Sequence, residues 1–343
     1  MAPVCAEYIW IDSAGTLRSK TRVCLDGVIS IWNFDGSSTG QAQGSDSEVI
    51  IAPVVLFNDP FKGGSNKLVL CSVHTYAGAH STNFRAHAQD VFKKHAWARP
   101  WFGLEQEYFI MSGHDPLGWK AGAQAPQGGF YCGVGTNNAF GRHVADEHMD
   151  LCIKAGVRIC GLNAEVAPGQ WEFQIGICEG VDAADHLWMA RYILERVAEK
   201  HGLWINYHPK PLRERGEWNG SGCHINFSTT EMREAGGMEC INSAIDKLRA
   251  NHSVHMEVYG AHNDLRMTGL HETAQFDKFT WGVGDRTASV RIGLDTAKRG
   301  CGYFEDRRPG ANIDPYRATS KLVETCMEIV NDKTNPTGGT SGG

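Results

Sequence analysis

GLEQEYF, residues 103–109, places Glu105 and Glu107 two apart inside an otherwise apolar and aromatic run. Pro100 and Gly113 bound the run, and its shortness favours a strand over a helix. Residues i and i+2 of a strand point to the same face, whereas in a helix they diverge. Two carboxylates therefore lie side by side, and their repulsion calls for water, a basic partner or a cation. For a lone E-x-E a solvated edge strand is the plainer reading, so the rest of the chain has to decide.

The pattern recurs. NAEVAPGQWEFQIG (163–176) carries Glu165 in a short β-like run and Glu172 between Trp171 and Phe173. GSGCHINFS (220–228) sets His224 at the head of an alternating strand, where a satisfied core histidine is the plainer reading. GYFEDRRPGAN (302–312) has Glu305 after an aromatic pair, where a turn salt-bridged to Arg307 and Arg308 is the plainer reading. Together, five carboxylates and one imidazole form a hard-donor set that favours Mg²⁺ or Mn²⁺ over zinc, with room for two or more ions. Arg266, Arg286, Arg291, Arg307 and Arg308 crowd the last third of the chain. Divalent metal with several arginines is what phosphoryl transfer from ATP needs. No Walker A motif is present, so the nucleotide is expected in another architecture.

The 343 residues suffice for one large domain or two, and 42% hydrophobic with 21% charged residues is ordinary for a chain with a full core. A net charge of −6 without a basic stripe argues against nucleic acid or an anionic membrane as partner. Eleven scattered cysteines with no C-x-x-C pair argue against a disulfide scaffold and for a reducing compartment. Neither a signal peptide nor an apolar run of membrane-spanning length is evident, so the cytoplasm is expected.

The first 75 or so residues read as β: EYIWI (7–11), KTRVCL (20–25), EVIIAPVVLF (48–57) and KLVLCSV (67–73). A helix is expected over 81–97, capped by Ser81 or Thr82. Others are expected over 143–156 with Gly156 at its end, over 183–202 with Asp182 as cap, and over 240–252 and 318–330. TNPTGGTSGG (334–343) reads as a flexible end. The expected organisation is α+β, a small β-rich domain over 1–82 followed by a larger α+β domain over 83–343.

The motifs fall in an order that resembles glutamine synthetase of the shorter, eukaryotic type. WNFDGSSTGQAQGSDSEVIIAP (32–53) is similar to that family's N-terminal signature and KPLRERGEWNGSGCHINFS (210–228) to its ATP-region signature. WFGLEQEYF, NAEVAPGQWEFQIG, RMTGLHETA (266–274), GDRTASVRI (284–292) and GYFEDRRPGAN match as well, from about Glu7 to Ile329. The resemblance implies a β-grasp-like domain joined to an α+β catalytic domain. It implies ATP-dependent ligation of ammonia to the γ-carboxylate of L-glutamate through γ-glutamyl phosphate. Glu107, Glu165 and Glu172 would hold one Mg²⁺ or Mn²⁺, and Glu105, His224 and Glu305 another, with two or three ions in all. Asn219, Gly220, His224, Arg266 and Arg307 would face glutamate. Trp101, Glu105, Glu172, Asn226, Ser228, Arg233, Arg286, Arg291 and Tyr303 would face ATP. Asp35 would be the base for ammonium, although D-G-S-S by itself is turn chemistry. Glu272 would be the carboxylate of a closing flap. The implied assembly is a decamer of two pentameric rings, with Asp35 reaching the site of a neighbouring subunit. An N-terminal arm usual in the family is expected to be missing, because the sequence starts almost at EYIWI. Two other classes compete. A phosphagen kinase would need a reactive cysteine and would leave Asp35 and Glu272 unused. A non-catalytic structural relative would have lost ligands that this chain retains.

Overall fold

The computed structural model describes residues 2–120 and 129–328. The expected flexible end over 334–343 lies outside the described residues, as does the last part of the 83–343 span. Two sheets organise the chain. The first contains β1 (Val4–Ile11), β2 (Leu17–Cys24), β3 (Trp32–Asp35), β4 (Glu48–Asn58), β5 (Lys67–Thr75) and β6 (Gly78–Ala79). Its order is β2-β1-β5-β4-β3, with β6 on β5, and β1 runs parallel to β5 while its other pairings are antiparallel. Alternation in β1 and β5 fills two cores. Ala6, Tyr8, Trp10, Val69, Cys71 and Val73 pack on one face, while Ile9, Leu68 and Leu70 join the main core on the other. Strands buried on both sides read as near-continuous apolar runs, which is why EYIWI and KLVLCSV stand out. β3 does not stand out, because four residues are held in register by distant β4, Trp32 opposite Ile51.

The second sheet contains β7 (Trp101–Ser112), β8 (Asp115–Pro116), β9 (Ile159–Ala164), β10 (Gln170–Glu179), β11 (Trp204–Asn206), β12 (Cys223–Ser228), β13 (Trp281–Val283), β14 (Val290–Ile292) and β15 (Phe304–Asp306). Its order is β13-β14-β15-β12-β7-β10-β9, with β8 and β11 beside β7. Phe102, Leu104, Gln106 and Tyr108 of β7 turn to the buried side, so Gly103, Glu105 and Glu107 must face the other way.

Helices are α1 (Phe84–Lys94), α2 (Arg142–Ala155), α3 (Asp182–Lys200), α4 (Thr230–Arg233), α5 (Gly237–Ala250), α6 (His252–Met256), α7 (Leu294–Arg299) and α8 (Pro315–Met327). α3 lies against β7 and β10 and buries Leu187, Ala190, Leu194 and Val197 completely. Each large apolar side chain so buried contributes about 1.5–3 kcal/mol. The result is the expected α+β arrangement, with the smaller, β-grasp-like sheet first.

Two caps differ from expectation. α1 is capped by Asn83, whose side chain accepts from Ala86 N, because the Thr82 hydroxyl is already bonded to His80 and Gln41. Asp182 is the first residue of α3 and not its cap, since Val181 before it is already in helical conformation. Gly156 ends α2 in the left-handed region, φ 86°, where a Cβ would be strained.

Candidate active site

Strand register builds the site. Glu107 on β7 stands directly opposite Glu172 on β10, and Glu172 opposite Asn163 on β9. In the next row Gln174 of β10, Glu105 of β7 and His224 of β12 are opposed. In the row beyond, Asn226 of β12 opposes Glu305 of β15, and Glu305 opposes Arg291 of β14. Side chains of one row on one face sit about 5 Å apart, so three rows across six strands gather Glu105, Glu107, Glu172, His224 and Glu305 on a single surface.

Two groups on that surface bring their oxygen and nitrogen atoms within 4.8 Å of one another: Glu105, His224 and Glu305, and Glu107, Glu172 and His224. The first coincides with one implied ligand set. The second has His224 where Glu165 was expected. Glu165 lines the same cavity, held by Asn163 Nδ2 at 3.0 Å and by the Val166 N–H at 3.2 Å. This cavity, of ≈ 490 Å³, also takes in Asn219, Gly220, Arg266, Glu272, Arg286, Arg291 and Arg307. A second cavity, of ≈ 390 Å³, adjoins it through Glu105 and Gln174, and is walled by Trp101, Asn226, Ser228, Arg233 and Tyr303. There the Arg233 guanidinium lies 3.8 Å over the Trp101 ring and donates to Ser228 Oγ at 3.0 Å.

The electrostatics follow from burial and crowding. Burial, reinforced by Glu107 and Glu105, pushes the Glu172 carboxyl up to about 8. Burial also raises Glu165, with Glu107 and Glu172 adding to it. Burial raises Glu107 against the pull of the Arg266 guanidinium and the Gly222 N–H. These are the marks of carboxylates that are buried and crowded together. Burial, then the Arg307 charge, holds His224 well below its usual value, so its ring is neutral. Its 3.5 Å approaches to Glu105 and Glu305 are therefore not ion pairs. A neutral imidazole is ready to ligate a metal, the raised carboxyls would release their protons on binding one, and mostly oxygen donors suit a hard divalent cation. Glu305 is balanced differently, by Arg291 Nε at 2.5 Å and Arg307 Nη1 at 2.8 Å. Its expected turn partner Arg308 is instead buried against Asp306, at 2.6 Å.

Asp35 is in neither cavity lining. It ends β3 in the first sheet, fully exposed, and caps a short turn through the Ser37 N–H and the hydroxyls of Ser37 and Ser38. Those bonds hold its carboxyl down at about 2. Glu272 stands on a loop where His271 and Glu272 both have positive φ, 53° and 59°, a pairing that non-glycine residues rarely adopt. Sequence reasoning missed Tyr131, Asn163, Gln174 and His271 in the first cavity. Only Gln174 had a readable signal, two residues beyond Glu172 in the same alternation.

Fold and site together define an α+β enzyme that presents a divalent-metal type of carboxylate cluster opposite a bank of arginines. A family model described as "Glutamine synthetase, catalytic domain" matches residues 84–239. The chain is 53% identical over 330 residues to a glutamine synthetase of Agaricus bisporus, covering 94% of this chain and 93% of that protein. It is 50% identical over 334 residues to that of Schizosaccharomyces pombe, covering 95% and 92%, and 51% identical over 336 residues to a chloroplastic one of Brassica napus, covering 94% and 78%. The chain belongs to the glutamine synthetase family. A solved structure titled "Apo GmaS without ligand" superposes with a TM-score of 0.76 at 19% identity over 94% of this chain and 77% of that one, which speaks to the fold alone.

Proposed function

We propose that the chain is a glutamate–ammonia ligase that makes glutamine from L-glutamate, ammonium and ATP. The observation that carries this reading is the single sheet face on which the carboxylate rows separate an arginine-lined cavity from an aromatic-walled one. Glutamate would occupy the first, held by Asn219, Gly220, Arg266 and Arg307. The nucleotide would occupy the second, against Trp101, Asn226, Ser228, Arg233 and Tyr303, with its phosphates toward Arg286 and Arg291. Two or three Mg²⁺ or Mn²⁺ ions, held by Glu107, Glu165 and Glu172 and by Glu105, His224 and Glu305, would supply Lewis-acid charge to the γ-carboxylate and the phosphates.

The γ-carboxylate oxygen attacks the γ-phosphorus, the bond to the β-phosphate oxygen breaks, and ADP leaves. Arg286 and Arg291 balance charge on the transferring group. Ammonium gives up a proton, ammonia attacks the acyl carbon of γ-glutamyl phosphate, and the adduct loses a second proton to the departing phosphate, which leaves as hydrogen phosphate while the amide forms. Asp35 is the proton acceptor in this reading and Glu272 the carboxylate of the flap, whose closure keeps water from the acyl phosphate. The bond from Arg307 Nη2 to the Glu272 carbonyl, 3.3 Å, would tie that loop to the arginine facing glutamate.

Asp35 lines neither cavity of its own chain, and in this reading it reaches the site of a neighbouring subunit within a decamer of two pentameric rings. The division at residues 82 and 83, with the β-grasp-like sheet before it, is part of the same reading. No helix of the described residues is long and apolar enough to cross a membrane, and the proposed setting is the cytoplasm, without nucleic-acid or membrane partners. The test is ADP release from ATP and Mg²⁺ with L-glutamate, with and without ammonium. Glutamate-dependent release that rises with ammonium and yields glutamine is expected. A folded, metal-binding protein that gives no turnover would refute the ligase reading.

A further inference from the structure

The loop that carries Glu272 has the Thr268–Gln275 bridge as its stem and a four-residue turn as its tip, closed by the Thr273 N–H on the Leu270 carbonyl at 3.2 Å. His271 and Glu272 are the two central residues of that turn. Positive φ at both, 53° and 59°, is the pattern of a type I′ turn, which favours Asn and Gly at those positions. A histidine followed by a glutamate adopts it only under steric strain, so contacts outside the turn must hold it. Both residues have such a contact. The Glu272 carbonyl accepts from Arg307 Nη2, and His271 Nε2 lies 3.3 Å from Glu217 Oε2. A carboxylate only accepts, so the imidazole N–H is the donor.

The two tethers differ in what else draws on them. Arg307 lines the arginine-rich cavity and already bonds Glu305, so a bound substrate would compete for it. Glu217 lines neither that cavity nor the aromatic-walled one. Its backbone is fixed on both sides. Gly216 before it turns the chain at φ 107°, and Trp218 after it is buried with its ring 5.3 Å from that of Trp119. Buried Lys210 donates to the Trp218 carbonyl at 2.6 Å. Asn219 and Gly220, the next two residues, line the arginine-rich cavity. A rigid edge of that cavity thus carries a hold on the strained turn, through a side chain that is itself 72% exposed and outside every core cluster.

Resting on the ligase reading, we propose that Glu217 is a positioning residue, which holds the flap turn through His271 and so keeps water from γ-glutamyl phosphate. Water that attacks the acyl phosphate in place of ammonia returns glutamate and hydrogen phosphate and releases a proton. ATP is then consumed and no glutamine forms. A turn that has lost its tether shows itself as that leak.

The test is the ratio of phosphate released to glutamine formed, with ATP, Mg²⁺ and L-glutamate saturating and ammonium limiting, in the full-length wild type, Glu217→Ala, His271→Ala and the double variant. A fully coupled enzyme releases one phosphate per glutamine, and a variant that merely lowers the amount of active protein leaves the ratio alone. The ratio should rise in both single variants. Glutamate-dependent phosphate release without ammonium should rise about threefold, the shift that an exposed pair supports in an open–closed equilibrium. KM for ATP should be unchanged in Glu217→Ala. The double variant should leak no more than either single one, because each removes the same contact. A wild type that makes no glutamine would refute the ligase reading and the tether with it. A coupled wild type with an equally coupled Glu217→Ala, or a double variant whose leak is the product of the two single effects, would overturn the tether alone.

Discussion

Replacing Glu172 by Gln should stabilise the metal-free protein while abolishing its metal-dependent activity. Glu172 is buried opposite Glu107, and its carboxyl is raised from 4.5 to about 8. A raised value in the fold means that the native state holds a proton the unfolded chain has released. Stability is therefore whole below pH 4.5 and falls as pH climbs toward 8. At pH 7 the loss from this one group is about 3 kcal/mol. Glutamine has nearly the same shape, carries no charge, and still offers Oε1 to Gln174 Nε2, now 2.6 Å from the carboxylate. For a chain of 343 residues, 3 kcal/mol corresponds to a rise in Tm of about 4 °C. The assay is thermal unfolding of wild type and variant in EDTA from pH 5 to pH 8. The curves should coincide at pH 5 and separate by pH 8, with the variant higher. Adding Mg²⁺ should reverse the order, because the wild type gains more from the bound ion. A variant less stable at pH 8, or a difference independent of pH, would refute the account of a carboxylate cluster held together without its cation.

Gly220→Ala should raise KM for glutamate about tenfold or more, measured by steady-state kinetics with ATP saturating, because the new Cβ would lie 2.3 Å from the Pro209 carbonyl and 2.7 Å from Arg266 Cγ. Glu179→Gln should raise KM for ATP several-fold and leave KM for glutamate alone, since Glu179 Oε2 holds both the Trp101 indole at 3.1 Å and Arg99 Nη2 at 3.0 Å. Asp35→Asn and Glu305→Gln should each be inactive alone, and unfolding and reassembling them together should restore up to about a quarter of the activity if sites are shared between subunits; no recovery from correctly assembled mixtures would confine each site to one chain.

What the sequence revealed depended on range. The E-x-E alternation of β7 and the W-E-F-Q of β10 showed which face each glutamate takes, because the period of a strand is local. That Glu107 meets Glu172, or that Glu305 meets Arg291, is a matter of register between strands far apart in sequence, and only the resemblance to a family supplied it. β3 was lost for the same reason. Cap errors at Asn83 and Asp182 arose because tertiary partners of Thr82 and the helical conformation of Val181 are invisible locally. The neutral lining residues Asn163 and Tyr131 carry no charge to mark them, and that Asp35 lines neither cavity is a matter of how the two sheets are placed, which no local pattern shows.

The alternation in β7 has a kinetic side. Were this strand to pair one residue out of step, Phe102, Leu104 and Tyr108 would turn to the polar cavities, and Glu105 and Glu107 would enter the main core. Burying two carboxylates while exposing three large apolar groups would cost about as much as the roughly 5–15 kcal/mol that holds a domain together. Mispaired chains therefore do not persist as folded, inactive enzyme, and the packing that selects the native state delivers the clustered carboxylates already in place.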